Sequence, residues 1–192
     1  MSNPRIIAGK ARGFHLEGVP GDITRPITDR VKESLFNIIG GDIVGSSFLD
    51  LFGGTGSVGI EALSRGGLFA RFIEINQTAV KVIQKNLKKT NLTHNAEVIC
   101  FDAFKYLQKT NNKQFEYIFI APPQYKKMWE RTLSILEANP DHLADDGWLI
   151  VQIDPLEYVE IKSTHFEKID QRKYGSTLLL FFSKRNQSTT SI

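Results

Sequence analysis

The strongest constraint on the fold is a regular alternation of apolar segments and amphipathic segments that begins at Phe48. The short apolar segments predict strands at 48–51, 69–75, 96–101, 117–121 and 147–153. The segments between them predict helices at 57–65, 77–89, 103–108 and 126–137. This alternation is typical of α/β proteins with a parallel, doubly wound sheet and helices on both faces.

The two ends of the chain depart from this pattern. Residues 165–184 predict two strands around Tyr174–Gly175 with no helix between them, so the sheet is expected to close with an antiparallel hairpin. Residues 5–17 predict a small N-terminal β-hairpin, and a helix is expected to begin near Thr28 as its N-cap. The predicted organisation is a hairpin and loop at 1–27, one domain at 28–185 and a polar tail at 186–192.

Composition excludes several classes of protein. With 192 residues, 41% of them hydrophobic, the chain is long enough for one ordinary domain and too apolar to be disordered. No apolar run approaches the roughly 20 residues of a membrane span, and the N-terminus lacks the features of a signal peptide. The single cysteine, Cys100, is interpreted as a buried inert thiol in a cytoplasmic protein. The four histidines have no metal-ligand spacing, so no metal site is predicted.

The charge is concentrated near the N-terminus. The net charge is +3, and residues 1–32 hold six basic residues against three acidic ones. Such an arm suits a phosphate-rich partner, although a solvated surface loop would have the same composition. The candidate nucleic-acid contacts in this region are Arg5, Lys10, Arg12, Arg25 and Arg30.

A glycine-rich loop follows the first predicted strand. Residues 54–59 fit the pattern G-x-G-x-x-G, and they lie between a strand and a helix, as that motif requires. Glycines let the backbone approach a ligand closely, and the helix N-terminus offers unpaired N–H groups. Glu74 closes the next strand about 20 residues later, where a carboxylate accepts ribose hydroxyls. The loop therefore predicts a site for a nucleoside cofactor.

Asp50 indicates which nucleoside cofactor this is. A carboxylate directly before the loop would repel a pyrophosphate, whereas it would attract the ammonium and sulfonium of S-adenosylmethionine. Asp102, after the third strand, could accept a hydrogen bond from the adenine amino group. The alternative is that Asp50, Glu74 and Asp102 only cap helices or stabilise loops at the ends of their strands.

The fourth strand ends in the segment "IAPPQY", residues 120–125. Two successive prolines stiffen the backbone and remove N–H donors, so the neighbouring carbonyls can face a cleft. Tyr125 could stack on a flat base there. The alternative is a rigid strand-to-helix turn with a core tyrosine.

These residues together resemble the bacterial RsmD family, the guanine-N2 methyltransferases of 16S ribosomal RNA. The matching segments are 5–13, 24–37, 49–66, 73–76 and 122–125. Of these, "RPITDRVKESLFN" beside the glycine loop is the most specific. The resemblance implies a Rossmann-like class I methyltransferase with a seven-stranded sheet and an N-terminal hairpin. It further implies S-adenosylmethionine as cofactor and 16S rRNA, in an assembling small subunit, as partner of a monomeric protein with no membrane partner.

The resemblance also implies roles for individual residues. The target guanine is held by Ala121, Pro122, Pro123, Gln124 and Tyr125. The cofactor is bound by Thr28, Asp50, Phe52, Gly53, Gly54, Thr55, Gly56, Ser57, Glu74, Ile75, Asp102 and Ala103.

Ala121 departs from the family pattern, which has Asp or Asn at this position to accept a hydrogen bond from the target amine. Gln124 could supply that acceptor, or the backbone carbonyls of Ala121 and Pro122 could suffice, because methyl transfer depends mainly on in-line positioning. In a third interpretation the protein binds cofactor or RNA without methylating it.

Several functions therefore stay open. The first is methylation of guanine N2 in 16S rRNA, and the second is methylation of another amino group on a nucleic acid or small molecule. A non-catalytic RNA-binding or ribosome-assembly protein would explain Ala121. An NAD-dependent oxidoreductase is disfavoured by Asp50 and by the terminal antiparallel hairpin.

Overall fold

The computed structural model describes residues 3–21, 27–109 and 113–185. Its strands are β1 Ser47–Asp50, β2 Phe69–Glu74, β3 Ala96–Cys100, β4 Phe115–Ile120, β5 Leu143–Ile153, β6 Phe166–Tyr174 and β7 Thr177–Lys184. Its α-helices are α1 Asp29–Ile39, α2 Ser57–Ser64, α3 Gln77–Lys89, α4 Ala103–Leu107 and α5 Met128–Ala138. Short 3₁₀ turns lie at Gly40–Ile43, Thr93–Asn95, Pro140–His142 and Pro155–Glu157.

The seven strands form one sheet in the order β3-β2-β1-β4-β5-β7-β6. Strands β1 to β5 pair in parallel, and β7 runs antiparallel to both β5 and β6. The predicted mostly parallel sheet with a terminal antiparallel hairpin is therefore confirmed. From β1 the strand order runs to β2 and β3 on one side and to β4 and β5 on the other. The loop that follows β1 therefore opens at the topological switch point of the sheet.

Alternate residues along each strand face two different layers. On β4, Tyr117 and Phe119 pack in a core with α1, α2 and α3, whereas Ile118 and Ile120 pack in a second core with α4 and α5. The central strands β1 and β4 are buried on both faces, as expected for the parallel part of a sheet covered by helices. This layering fixes which side chains can meet at the carboxyl end of the strands.

Helix α1 begins as predicted at Thr28, whose side-chain Oγ1 accepts a hydrogen bond from Val31 N at 3.3 Å. It buries Val31, Leu35 and Ile39 as expected from their spacing, and Ile38 is half-buried. None of the helices in the described ranges is long and apolar enough to cross a membrane.

The N-terminal segments pair in an antiparallel manner but form only one β-bridge, between Arg5 and His15. Backbone hydrogen bonds join Ile6 N to Phe14 O at 2.9 Å and Leu16 N to Pro4 O at 2.7 Å. The predicted pair of short strands is therefore reduced to a bridge, because other backbone groups of this hairpin bond to α2 instead. Ala11 belongs, with Ile6 and Leu16, to the same core as α1.

Two predictions about the strands were wrong in detail. Cys100 is exposed rather than buried, because β3 is an edge strand and only five residues long. Strand β5 begins at Leu143 rather than at 147, because Leu143 pairs with Phe115 ahead of a register shift in the β4–β5 ladder. The predicted tail, 186–192, lies outside the described residues.

Candidate active site

A cavity of about 760 Å³ lies at the carboxyl end of the parallel strands. Most of the predicted cofactor residues line it: Asp50, Phe52, Gly53, Thr55, Ser57, Glu74, Ile75, Asp102 and Ala103. Thr28, Gly54 and Gly56 do not line the cavity, although each neighbours a residue that does. Ligands of open α/β sheets bind in this position, outside the strand ends.

The glycine loop brings the N-terminus of α2 to this cavity. Gly56, the N-cap of α2, has a φ of 78°, a left-handed conformation that glycine adopts without strain. Gly59 lies so close to the sheet that a Cβ there would be 2.4 Å from the Phe72 ring. The turn and the close packing of helix on strand are the two reasons for which the motif needs glycine.

Asp50 is buried at the base of the cavity. Its side chain is 2% exposed, and its Oδ1 has no hydrogen-bond partner among the described residues. Burial and the nearby Glu74 carboxylate raise the pKa of Asp50 to about 8, although the backbone N–H groups of Phe52 and Gly59 favour the charged form. A cation placed against Oδ1 would offset both of the effects that raise this pKa.

Glu74 is held in place by the backbone around it. Its Oε2 accepts a hydrogen bond from Gly54 N at 2.9 Å, and its Oε1 accepts one from Asn76 N at 2.8 Å. Each carboxylate oxygen keeps a second lone pair. Glu74 can therefore accept two further hydrogen bonds, as recognition of a ribose diol requires.

Asp102 is a helix cap that also lines the cavity. Its Oδ1 accepts a hydrogen bond from Lys105 N at 2.8 Å and so caps α4. It also lines the cavity together with Phe101 and Ala103. The cap fixes the carboxylate at the rim of the site without removing it from contact with a ligand.

The proline segment forms another wall of the same cavity. Ala121, Pro122, Pro123 and Gln124 line it, and the Gln124 side chain is exposed. Tyr125 does not line it and is 65% exposed.

Tyr125 is turned away by the backbone of its own loop. Its φ is 60°, uncommon for a residue with a side chain, and its N–H donates to Glu157 Oε2 at 2.7 Å. A hydrogen bond with Asp154 raises the pKa of the Tyr125 hydroxyl. The 3₁₀ turn Pro155–Glu157 therefore fixes the loop that follows the two prolines. Trp129, further along, is 1% exposed and belongs to the core.

Sequence reasoning missed several residues of the cavity wall. Ile27, Phe101, Phe104 and Gln152 also line it. Gln152 is the polar member of this group, and its Oε1 is buried with no hydrogen-bond partner in the described part of the chain. A glutamine within the apolar run "GWLIVQI" was the available signal, since a polar residue at the end of a central strand needs a partner.

The predicted nucleic-acid contacts lie on the surface. Arg5, Lys10, Arg12 and Arg30 are exposed, and Arg5 forms an ion pair with Asp29 at 2.6 Å. Arg25 lies outside the described residues. Phe14 is 42% exposed on the same hairpin, which places an aromatic ring among these charges.

Comparison with known proteins identifies relatives of this chain. Residues 4–183 match the family described as "Conserved hypothetical protein 95". YlbH of Bacillus subtilis (strain 168), provisionally named an rRNA methyltransferase, is 38% identical over 185 residues, covering 94% of this chain and 99% of that protein. "Ribosomal RNA small subunit methyltransferase D" of Escherichia coli (strain K12) is 36% identical over 148 residues, covering 77% of this chain and 73% of that protein.

A solved structure has the same architecture. That of yhhF from Escherichia coli, provisionally named a methyltransferase, superposes with a TM-score of 0.85 at 31% identity. The superposition covers 96% of this chain and 99% of that one.

Proposed function

This chain belongs to the RsmD family, described as "Conserved hypothetical protein 95", and on that premise we propose that it methylates the N2 amine of a guanine in 16S rRNA. S-adenosylmethionine is the methyl donor. The observation that carries the proposal is the buried, unpartnered Oδ1 of Asp50, which lines one cavity together with Glu74 and the proline segment.

The cavity fits this cofactor. Asp50 offers an anion to the ammonium and sulfonium groups, which would compensate the cost of burying its charge. Glu74 has lone pairs left for the two ribose hydroxyls, and Asp102, which also lines the cavity, would accept a hydrogen bond from the adenine amino group. When bound, S-adenosylmethionine supplies a methyl group made electrophilic by its positively charged sulfur.

Asp50 also argues against an NAD-dependent oxidoreductase. A dinucleotide would bring a pyrophosphate to the N-terminus of α2, where the carboxylates of Asp50 and Glu74 would repel its negative charge. A cationic nucleoside fits the same charges without this repulsion.

In this proposal the proline segment holds the target base beside the cofactor site. Ala121, Pro122 and Pro123 line the cavity, and proline nitrogens carry no hydrogen to donate. Guanine N2 lies in the minor groove of an RNA helix, so a paired target base would have to be unpaired or flipped out of the stack to reach this wall.

In this proposal the hairpin and the first turn of α1 contact the RNA. Lys10, Arg12 and Arg30 are exposed cations suited to phosphate contacts, and Phe14 offers a ring for stacking. The proposed substrate is 16S rRNA within an assembling small subunit, bound by a monomer of this protein in the cytoplasm.

The test is methyl transfer from labelled S-adenosylmethionine to three substrates: naked 16S rRNA, small subunits lacking the modification and large subunits. We expect labelled N2-methylguanine, identified by mass analysis of nucleosides, in the small-subunit material alone. Label in another nucleoside would correct the target.

The matched control is Glu74→Gln, which keeps the size of the side chain but weakens its hold on the ribose. It should reduce cofactor affinity and transfer together. Tight cofactor binding by the wild-type protein without transfer to any of the three substrates would instead favour the non-catalytic, RNA-binding function.

A further inference from the structure

We propose that the side-chain amide of Gln152 accepts the hydrogen bond from the target amine that Ala121 cannot accept. The inference rests on the proposed function, because it assigns an acceptor within that same site. Gln152 lies on β5, and Ala121 follows the last residue of β4, so the acceptor would come from a neighbouring strand.

The register of the two strands places Gln152 beside Ala121. Strands β4 and β5 are parallel, and Ile120 pairs with Val151. One residue further along each strand come Ala121 and Gln152, at the carboxyl end where the cavity lies. Both of them line that cavity.

The alternation of side chains puts both residues on the same face of the sheet. Phe119 and Ile150 form a pair in the ladder and belong to the core under α1 to α3. Ala121 and Gln152 each lie two residues beyond a member of this pair, so they share its face. Gln152 pairs on its other side with Leu179, which belongs to the same core. The amide therefore has an apolar neighbour on the side away from Ala121.

The amide oxygen of Gln152 is buried without a partner in the described residues. Buried side-chain oxygens are normally hydrogen-bonded, so an unpaired one on a residue that lines the cavity is a candidate acceptor for a ligand atom. An exocyclic amine carries two hydrogens, and one of them can be donated to this oxygen.

Gln124, the acceptor that the sequence suggested, is less well placed. It is exposed and lies on the loop after the two prolines, next to Tyr125 with its left-handed backbone. Gln152 is fixed by a central strand that pairs on both sides. An acceptor on a strand is positioned more rigidly than one on a loop.

The chemical step balances without any further reactant. The amine nitrogen forms a bond to the methyl carbon, and the carbon–sulfur bond breaks with its electron pair left on sulfur. The amine then loses one proton to solvent water. The Gln152 oxygen accepts a hydrogen bond throughout, which directs the nitrogen lone pair at the methyl group and favours the positive charge that develops on the amine.

The test compares kcat and KM of Gln152→Met, Gln152→Glu and Gln124→Ala on small subunits lacking the modification. Met has nearly the length of Gln but no amide oxygen, and Glu keeps an oxygen at the same place. We expect Gln152→Met to lower kcat by roughly 100-fold with cofactor affinity unchanged, and Gln152→Glu to stay within roughly tenfold of wild type. Gln124→Ala should lower kcat by less than Gln152→Met does.

A second substitution distinguishes an acceptor from a merely structural role. Ala121→Asn added to Gln152→Met should restore transfer, because it returns an acceptor to the neighbouring position of the same wall. Unchanged cofactor affinity and thermal stability would show that both variants are folded.

The outcomes separate this inference from the proposed function. Equal kcat values for wild type and Gln152→Met, or loss of kcat in Gln124→Ala alone, would overturn the role of Gln152 and leave the methyltransferase proposal standing. Absence of transfer by the wild-type protein and by the single Ala121→Asn variant, with cofactor bound, would overturn both the role of Gln152 and the methyltransferase proposal.

Discussion

The ionisation of Asp50 depends strongly on its surroundings. Its pKa is about 8 in the folded protein, against its ordinary value of 3.8, because burial and Glu74 disfavour the carboxylate. At a pH between 3.8 and about 8, Asp50 is protonated in the folded state and ionised in the unfolded state. The free energy of unfolding therefore falls as the pH rises from about 4 to about 8.

Cofactor binding should reverse this effect at Asp50. A bound cation favours the carboxylate, so binding at pH 7 should release a proton from Asp50, and affinity should rise between pH 6 and pH 7.5. Calorimetry in two buffers of different ionisation enthalpy measures the released proton. The range ends at pH 7.5 because the amino group of the ligand itself titrates at about pH 8.

Asp50→Asn is the matched variant for this measurement. It should bind S-adenosylmethionine more weakly at pH 7.5 and release no proton on binding. Without ligand it should unfold at a higher temperature than wild type, because an uncharged amide is less costly to bury than the Asp50 carboxyl group. The expected rise is roughly 2–4 °C for each kcal/mol gained in the free energy of unfolding. A wild-type protein whose affinity is flat across this pH range would show that Asp50 does not meet a cation.

At the scale of elements, a buried carboxylate on α2 is one of the groups that attach the hairpin, beside the bonds of Lys10 N and Ala11 N to Ser64. Glu61, on α2, is fully buried, and its two oxygens accept the N–H groups of Ile7 at 2.8 Å and Ala8 at 3.0 Å. Arg65 donates to Glu61 at 2.8 Å, and the Lys32 ammonium lies 3.5 Å away. Lys32 is 1% exposed, and burial lowers the pKa of its ammonium.

Glu61→Gln should destabilise the protein by about 3–5 kcal/mol, because it leaves the Lys32 charge buried with its anion removed. Denaturant unfolding of the two proteins measures the difference. Lys32→Met in the same background should recover part of the loss, since an apolar replacement of a buried pair costs less than a broken pair. A Glu61→Gln variant within 1 kcal/mol of wild type would show that the network contributes little.

Elements could be predicted where the signal lies within their own sequence segment, and they could not where it depends on contacts with other segments. Helix α3 coincides with the predicted 77–89, because its apolar period lies within the segment and its cap, Asn76, directly precedes it. The early start of β5 depends on a pairing of Leu143 with Phe115, which the segment itself does not encode. The hairpin lost its predicted strands for a similar reason, since Glu61 on α2 binds its backbone.

At the scale of the whole molecule, the cavity joins residues from distant parts of the chain. The glycine loop and the acids Asp50 and Glu74 could be located by their spacing from the strand ends. The sequence marks Gln152 as a polar residue in an apolar strand, but its position beside Ala121 could not be predicted, because it depends on β5 lying next to β4 in the sheet. Motif spacing thus finds groups within one strand–loop–helix unit, while groups contributed across the sheet require the strand order.

The distribution of charge over the molecule makes a separate prediction about RNA binding. Lys10 and Arg12 are exposed at the tip of the hairpin, whereas Lys81 and Lys88 are exposed on α3. Both pairs carry the same charge, so net attraction alone would make them equivalent. A phosphate-binding hairpin would distinguish them, because a direct contact releases counterions that a distant charge does not.

Lys10→Ala with Arg12→Ala should therefore weaken binding to 16S rRNA particles and flatten the dependence of log K on log salt concentration by about one unit per lost contact. Lys81→Ala with Lys88→Ala should leave that slope near the wild-type value. Cofactor affinity should be unchanged in both variants, since none of the four residues lines the cavity. Equal slopes for the two variants would assign RNA binding to a surface other than the hairpin, and they would leave the cofactor site unaffected.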